Sequence, residues 1–392
     1  MHKRITYFDG FRGAAALIVV LHHFMMAFLP AIYNNAASDS HLPYSIERFI
    51  YSTPLNIFTN GNFAVNLFFI LSGFAISIPF FTKHDTSSLT KTSIKRYFRL
   101  LPPIVFCNIL TFIILYFHFN YNQQAALITK SYWWLAPNWS QVQLNIGNLF
   151  QQSFIDVFVK GVEFTKTFNS SLWTIPYFFL GTFIVTGTLA LIGTLKNRYL
   201  LYGILMVLLP TNYYPFVLGM VLCDLFMREK PLLLKNKALI FFAFIIGIFF
   251  SSYPTFPGTD QLKDTMYGFL PRILAPFEYN AYHCLGVILL FYSLISSRIF
   301  QKIMEFRVFL FLGKISYSLY IFHIIIILSF SSYVFLQFYP HLGYTASYLL
   351  MMVISLPLVF LGSFFIYRFV EHIGMVLAER FYAFFSPANK NH

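Results

Sequence analysis

Runs of about twenty mainly apolar residues recur along this chain, each long enough to cross the hydrocarbon layer of a bilayer as a helix. They fall near residues 10–30, 63–82, 100–119 and 172–195, then as two shorter runs near 199–210 and 214–227. Four more lie near 238–253, 270–296, 309–334 and 345–370. In lipid every backbone N–H and C=O must find its partner inside the protein, which leaves helices as the economical solution for runs of this length. The pattern predicts an all-α polytopic membrane protein of about ten transmembrane helices. Composition agrees: 58% of residues are hydrophobic and only 10% are charged, which excludes an ordinary soluble domain.

The net charge of +13 would fit nucleic acid, but its placement follows membrane topology instead. With the N-terminus inside, outer segments hold Arg48, Lys130, Lys160, Lys166, Lys263 and Arg272. Of 27 basic residues, 27 − 6 = 21 are then on inner segments, although the outer loops are the longer ones. Both termini are expected in the cytoplasm, with the first run a retained helix and not a cleaved signal. The chain is expected to form one membrane-embedded domain over 1–392, with a long extracytoplasmic loop at 120–171. A connection of that length in a compact protein is expected to be partly ordered and functional. It carries Trp133, Trp134 and Trp139, which suit either an interfacial belt or a platform for stacking sugar rings. Cys107, Cys223 and Cys284 sit in apolar runs without metal spacing and are expected to be small buried hydrophobes; no metal site is expected.

Titratable residues inside the spans single out the candidate site, because such groups must face a polar cavity or a partner. On one helix, the eleven steps from Arg12 to His23 put both on one face about 16 Å apart. Against a catalytic His23 stands a neutral ring bonded to a neighbouring helix. Arg96 and Arg99, three apart and just before Pro102-Pro103, form a pair of planar donors suited to phosphate oxygens, or simply belong to a basic inner loop. Ser316, Tyr320 and His323 stand at i, i+4 and i+7 on one helix face, either as catalytic groups or as polar contacts between helices. Asp224, Glu278 and His283 are further candidates, and Ser72-Gly73 would permit close helix approach.

Five segments together resemble the acyltransferase type 3 family of integral membrane acyltransferases, nearly end to end. Asp9-Gly10-Phe11-Arg12-Gly13 with His23 resembles that family's Arg-x10-His signature, and Phe68 to Phe74 its second-helix motif. Lys95 to Pro103 resembles its Arg-x-x-Arg segment, Ser171 to Thr174, including Trp173, its Leu-Trp-Thr motif, and Phe311 to His323 its late Ser-Tyr-x-x-Tyr-x-x-His motif. The resemblance implies transfer of an acyl group, usually acetyl, from acetyl-CoA or another acyl-CoA to a hydroxyl of a surface glycan, a lipid-linked sugar or another acceptor. One departure is visible: the family commonly has a glutamate about five residues past the tryptophan, where this chain is uncharged from Ile175 to Phe179. If that carboxylate matters in relatives, Glu163 or Glu278 substitutes for it here, or the acceptor is held in a different geometry.

On this reading acyl-CoA is a co-substrate arriving from the cytoplasm, with no bound cofactor and no nucleic-acid partner. Arg12, Arg96 and Arg99 would receive its phosphates, and His23 would act as general base or as a covalent acyl carrier. Asp9, Trp173, Ser316, Tyr320 and His323 would support the site or its acceptor side. The expected product is an O-acetylated cell-surface polysaccharide such as lipopolysaccharide O-antigen or capsule, made at the bacterial inner membrane. The rival from another class is a secondary transporter of a small anionic or sugar-like solute, which predicts paired repeats with broken helices that the sequence does not show.

Overall fold

The computed structural model describes residues 5–83, 86–228, 236–255, 261–263, 265–271 and 278–385. Lys3, Arg4, Lys230, Lys235, Arg272 and Lys390, and the side chains of Lys83, Arg228 and Glu278, lie outside the described residues. All regular elements among the described residues are helical. The main ones are α1 (Thr6–Phe28), α2 (Gly61–Lys83), α3 (Ser87–Tyr116), α4 (Ile175–Ile192) and α5 (Arg198–Leu208). They continue with α6 (Tyr214–Arg228), α7 (Lys237–Ser251), α8 (Glu278–Ser296), α9 (Arg307–Ile326), α10 (Ser332–Phe365) and α11 (Glu371–Phe385).

Each predicted apolar run meets one of these helices, but fewer of them qualify alone as crossings. Among the described residues, Thr6–Phe28, Gly61–Thr82, Ser87–Tyr116, Ser170–Ile192 and the run Arg307–Phe385 are long and apolar enough. Asn280–Ser296 with Arg298–Met304, bent by 103°, makes a sixth when the pair is counted as one broken span. The difference from ten has physical sources. Helices α5, α6 and α7 have 11, 15 and 15 residues, so the longest reaches only about 22 Å at 1.5 Å per residue. The run from Arg307 counts once although its backbone breaks at Gly343, with φ 70° and ψ −178°.

Helices α1, α2 and α9 form the centre, where α1 packs on both others; α6 packs on α2, α7 on α8, and α11 on α3. Apolar side chains also coat the outside: Leu349, Val353 and Leu361 of α10 are exposed, as a lipid-facing helix requires. Small residues set the central crossings. A Cβ on Gly13 would come within 2.3 Å of the Phe309 carbonyl oxygen, and one on Gly313 within 2.1 Å of the Asp9 carbonyl oxygen. The α2–α6 contact works the same way, since a Cβ on Gly73 would meet the Phe216 carbonyl oxygen at 2.0 Å. The close approach expected at Ser72-Gly73 is therefore present.

The glycine crossing fixes a register. From Gly13 to His23 is 23 − 13 = 10 residues and from Gly313 to His323 is 323 − 313 = 10, so helices running in parallel from one contact rise equally to the next. His23 and His323 meet about 15 Å beyond the glycines.

Candidate active site

His23 and His323 touch, with His323 Nε2 2.9 Å from His23 Nδ1. His23 Nδ1 is also 3.0 Å from the Val19 carbonyl oxygen, and His323 Nδ1 is 2.9 Å from that of Leu319. These contacts assign the tautomers, because a carbonyl can only accept. His323 Nδ1 therefore carries hydrogen and donates to Leu319. Its Nε2 faces a nitrogen that must donate to Val19, so His323 Nε2 presents a lone pair. His23 Nδ1–H is shared between Val19 and His323, which leaves the lone pair of a neutral His23 on Nε2.

His23 lines a cavity of about 300 Å³ with His22, Asn62, Trp134, Trp173 and Tyr320. His22 is pinned as His23 is, its Nδ1 donating to the Thr59 carbonyl oxygen at 2.6 Å. Its ring fills the space where a Cβ on Gly61 would stand. The Trp134 ring lies 5.3 Å from the His23 ring, tilted by 33°. The Tyr320 hydroxyl bonds that of Thr174 at 3.0 Å, which ties the late polar stripe to the Leu-Trp-Thr segment. Ser316 takes no part in the cavity: its hydroxyl donates to the Gly313 carbonyl oxygen of its own helix.

The long connection is ordered, with helices Asn122–Thr129 and Ile146–Gln151. Its tryptophans have separate tasks. Trp134 faces His23, Trp133 stacks on Tyr33 at 4.9 Å, and buried Trp139 donates to the Phe168 carbonyl oxygen at 2.8 Å, holding the loop together.

The arginines lie at the other end of α1. Arg12 pairs with Asp9 at 3.8 Å, one turn apart on α1. Arg96 has Arg99, Tyr317 and Arg12 as electrostatic neighbours, and its guanidinium sits 5.8 Å over the Phe178 ring. Arg96 Nε is buried without a hydrogen-bond partner among the described residues. Phe178 is the fifth residue past Trp173, where the resembled family commonly has a glutamate. An aromatic face thus stands where a carboxylate would neutralise the cation. Glu163 does not take that place: it is exposed, pairs with Lys166 at 2.9 Å and does not line the His23 cavity. The two groups stay separate in this structure, since the cavity lining contains no arginine and α1 between them is packed through buried Ala15, Ala16 and Val20.

Two other candidates are structural. Asp224 forms a buried bidentate pair with Arg198, at 2.5 and 2.6 Å. Buried His283 bonds the Tyr253 carbonyl oxygen and Asn60. Sequence reading passed over His22 and the lining residues Asn62 and Gly61. The doubled histidine at 22–23 was the available signal for the first.

An apolar helical bundle enclosing a pinned imidazole pair, with aromatic walls on one side and a group of arginines on the other, defines an integral membrane protein with a buried polar site. The family described as Acyltransferase domain matches residues 5–368, and the chain belongs to that family. The protein named Acyltransferase R4, from a Phoma species, is 27% identical over 144 residues, covering 35% of this chain and 30% of that relative. The matched segment thus spans less than a third of the relative's length. No solved structure matches the chain significantly.

Proposed function

We propose that the protein transfers an acetyl group from cytoplasmic acetyl-CoA to a hydroxyl of a cell-surface polysaccharide, such as an O-antigen or capsule, at the bacterial inner membrane. Family membership and the name of the Phoma relative support acyl transfer as the reaction class. The observation that carries the mechanism is that His23 lines the aromatic cavity with its Nδ1–H held by Val19 and His323, which leaves its lone pair on Nε2. On this reading, the acceptor O–H gives its proton to His23 Nε2 as its oxygen attacks the thioester carbon. The C–O bond forms, the C–S bond breaks, and the leaving thiolate takes that proton back from His23, releasing CoA as the thiol. His323 Nε2 accepts from His23 Nδ1–H throughout and so stabilises the imidazolium formed in between.

Arg12, Arg96 and Arg99 are proposed to hold the phosphates of the donor, with Asp9 orienting Arg12. The arm between phosphates and thioester then spans the roughly 16 Å of α1 from Arg12 to His23. Trp134 and Trp173 are proposed to stack on the sugar ring, and Tyr320 to hydrogen-bond the developing oxyanion. The same reading has ten crossings and both termini in the cytoplasm.

The test uses purified protein in nanodiscs: thiol release from acetyl-CoA for wild type and His23→Ala, beside the acetyl content of surface glycans in producing cells. Loss of both in a folded variant is the expected result. Thiol release that survives His23→Ala removes the proposed base.

A further inference from the structure

The ordered connection forms a second concavity, of about 560 Å³, outside the His23 cavity. Val162 faces both, so one wall is common to the two. Gly161, just before it, has φ 85°, a left-handed turn that favours glycine and reverses the chain where the two spaces meet.

The lining chemistry selects a ligand class. Its four ionised groups cancel in pairs, Lys160 with Asp156 and Lys166 with Glu163, both at 2.9 Å. A polyphosphate would find no net attraction there. Among the lining residues Val162 alone has a wholly apolar side chain, the other apolar surface being the stems of polar ones, which makes no continuous sleeve for an acyl chain. What remains is amide and hydroxyl chemistry on a braced floor. Gln152 Nε2 donates to Asn148 Oδ1 and to the Lys166 carbonyl oxygen, each at 3.0 Å, and its Oε1 accepts from the Phe168 N–H at 3.2 Å. At the edge, Gln143 is exposed. The volume falls within the roughly 300–1,000 Å³ of sites that hold ligands of a few rings.

We infer that this groove is an extended acceptor subsite, holding neutral sugar units next to the one whose hydroxyl lies at His23, so that the acceptor is an oligomer or polymer. The inference rests on the glycan-acceptor reading above.

The experiment takes surface glycan from producing cells deleted for the gene, as the full-length chain, short fragments and single units. Acetyl incorporation from acetyl-CoA is measured with protein in nanodiscs. Efficiency, as kcat/KM, is expected to rise about tenfold or more from single units to fragments long enough to reach the groove, since one added hydrogen bond is worth up to about tenfold. Gln143→Trp, which fills the groove from its edge, is expected to bring the ratio of long-fragment to single-unit efficiency close to one, with Gln143→Ala intermediate. An unchanged melting temperature checks the fold. Acetylation that does not depend on length, or a ratio unmoved by Gln143→Trp, overturns the groove assignment and leaves the glycan reading standing. Thiol release without acetylation of even the full-length chain removes the glycan reading, and the groove with it.

Discussion

Replacing His323 by leucine removes the nitrogen that faces His23 and leaves the base itself in place. In the resting enzyme the loss is small, because the Val19 carbonyl oxygen at 3.0 Å still accepts from His23 Nδ1–H and keeps the tautomer. On the proposed mechanism the difference arises when His23 carries the acceptor's proton. Its Nδ1–H is then part of a cation, and the contact to His323 Nε2 at 2.9 Å becomes a charge-assisted hydrogen bond. Such bonds contribute about 1.5–3 kcal/mol. At about 1.4 kcal/mol per tenfold, His323→Leu should lower kcat roughly 10- to 100-fold. On the proposed reading the donor phosphates bind at the far end of α1, so KM for acetyl-CoA should change less than about twofold, the mark of an interaction made only in the transition state. Steady-state thiol release at saturating acceptor, with wild type, His323→Leu and His323→Gln side by side, reads both parameters. Glutamine keeps a carbonyl acceptor and should recover part of the loss. A kcat within about twofold of wild type for the leucine variant, or an equal loss through KM, would refute the charge-stabilising role of the histidine pair.

Three other perturbations address separate parts of the structure. Arg96→Met should raise KM for acetyl-CoA about 10- to 100-fold with little change in kcat, whereas Phe178→Leu, which removes only the ring beneath the guanidinium, should raise it by less than about tenfold; unchanged KM in both would place the donor elsewhere. Asp224→Ala should destabilise the fold by about 3–5 kcal/mol by leaving Arg198 buried and unpaired, while Arg198→Met with Asp224→Leu should recover most of that, as read by thermal unfolding in detergent. Burial holds His41, in the connection after α1, below its ordinary value near 6.5, against the opposing hydrogen bond to the Thr129 carbonyl oxygen. As pH falls through that value the unfolded chain takes up a proton that the folded site refuses. Stability should therefore drop between about pH 7.5 and about pH 5.5, and less steeply in His41→Phe, which keeps the stacking on Tyr344.

Helices and candidate residues were legible in the sequence to different depths. The apolar runs located ten of the eleven main helices, because lipid leaves the backbone few choices; α11, which carries Glu371, Glu379 and Arg380, lies beyond the last run. The number of crossings was less legible: run length does not reveal a bend such as that at Gly343, nor whether two short helices cross as a pair. Motif residues were found one helix at a time. The sequence marked Arg12 with His23 and Ser316 with His323 as stripes on two helices, yet the contact between them depends on the packing of those helices. The signal lay in the two glycines, each ten residues before its histidine, which set equal rises in α1 and α9. Trp134 was visible as an aromatic, but only the folded connection separates it from Trp139, which is structural, and Trp133, which stacks on Tyr33. Ser316 shared the stripe's spacing and still turned away, its hydroxyl satisfied by its own helix.

The same packing bears on how, in the proposed reaction, a donor and an acceptor from opposite sides could share one base. A polar tunnel from end to end would leak water and ions, and the thioester with them. Here α1 between Arg12 and His23 is buried at Ala15, Ala16, Val19 and Val20, and its small residues Gly13, Ala15 and Ala16 lie at the arginine end, where Gly13 meets α9. Small residues give a dry seal that a slight separation of α1 from its neighbours would open to a slender arm, whereas larger side chains would have to leave their rotamers to do so. Enlarging the seal therefore separates two roles that mutation of His23 or Arg96 cannot. Ala16→Leu should leave the proposed phosphate contacts of the arginines and the imidazole pair in place yet stop thiol release, with binding of 3′,5′-ADP, the phosphate end of the proposed donor, still detectable by calorimetry. Thiol release at the wild-type rate in a folded Ala16→Leu variant would mean that the donor reaches His23 by another route, and the course along α1 would be wrong.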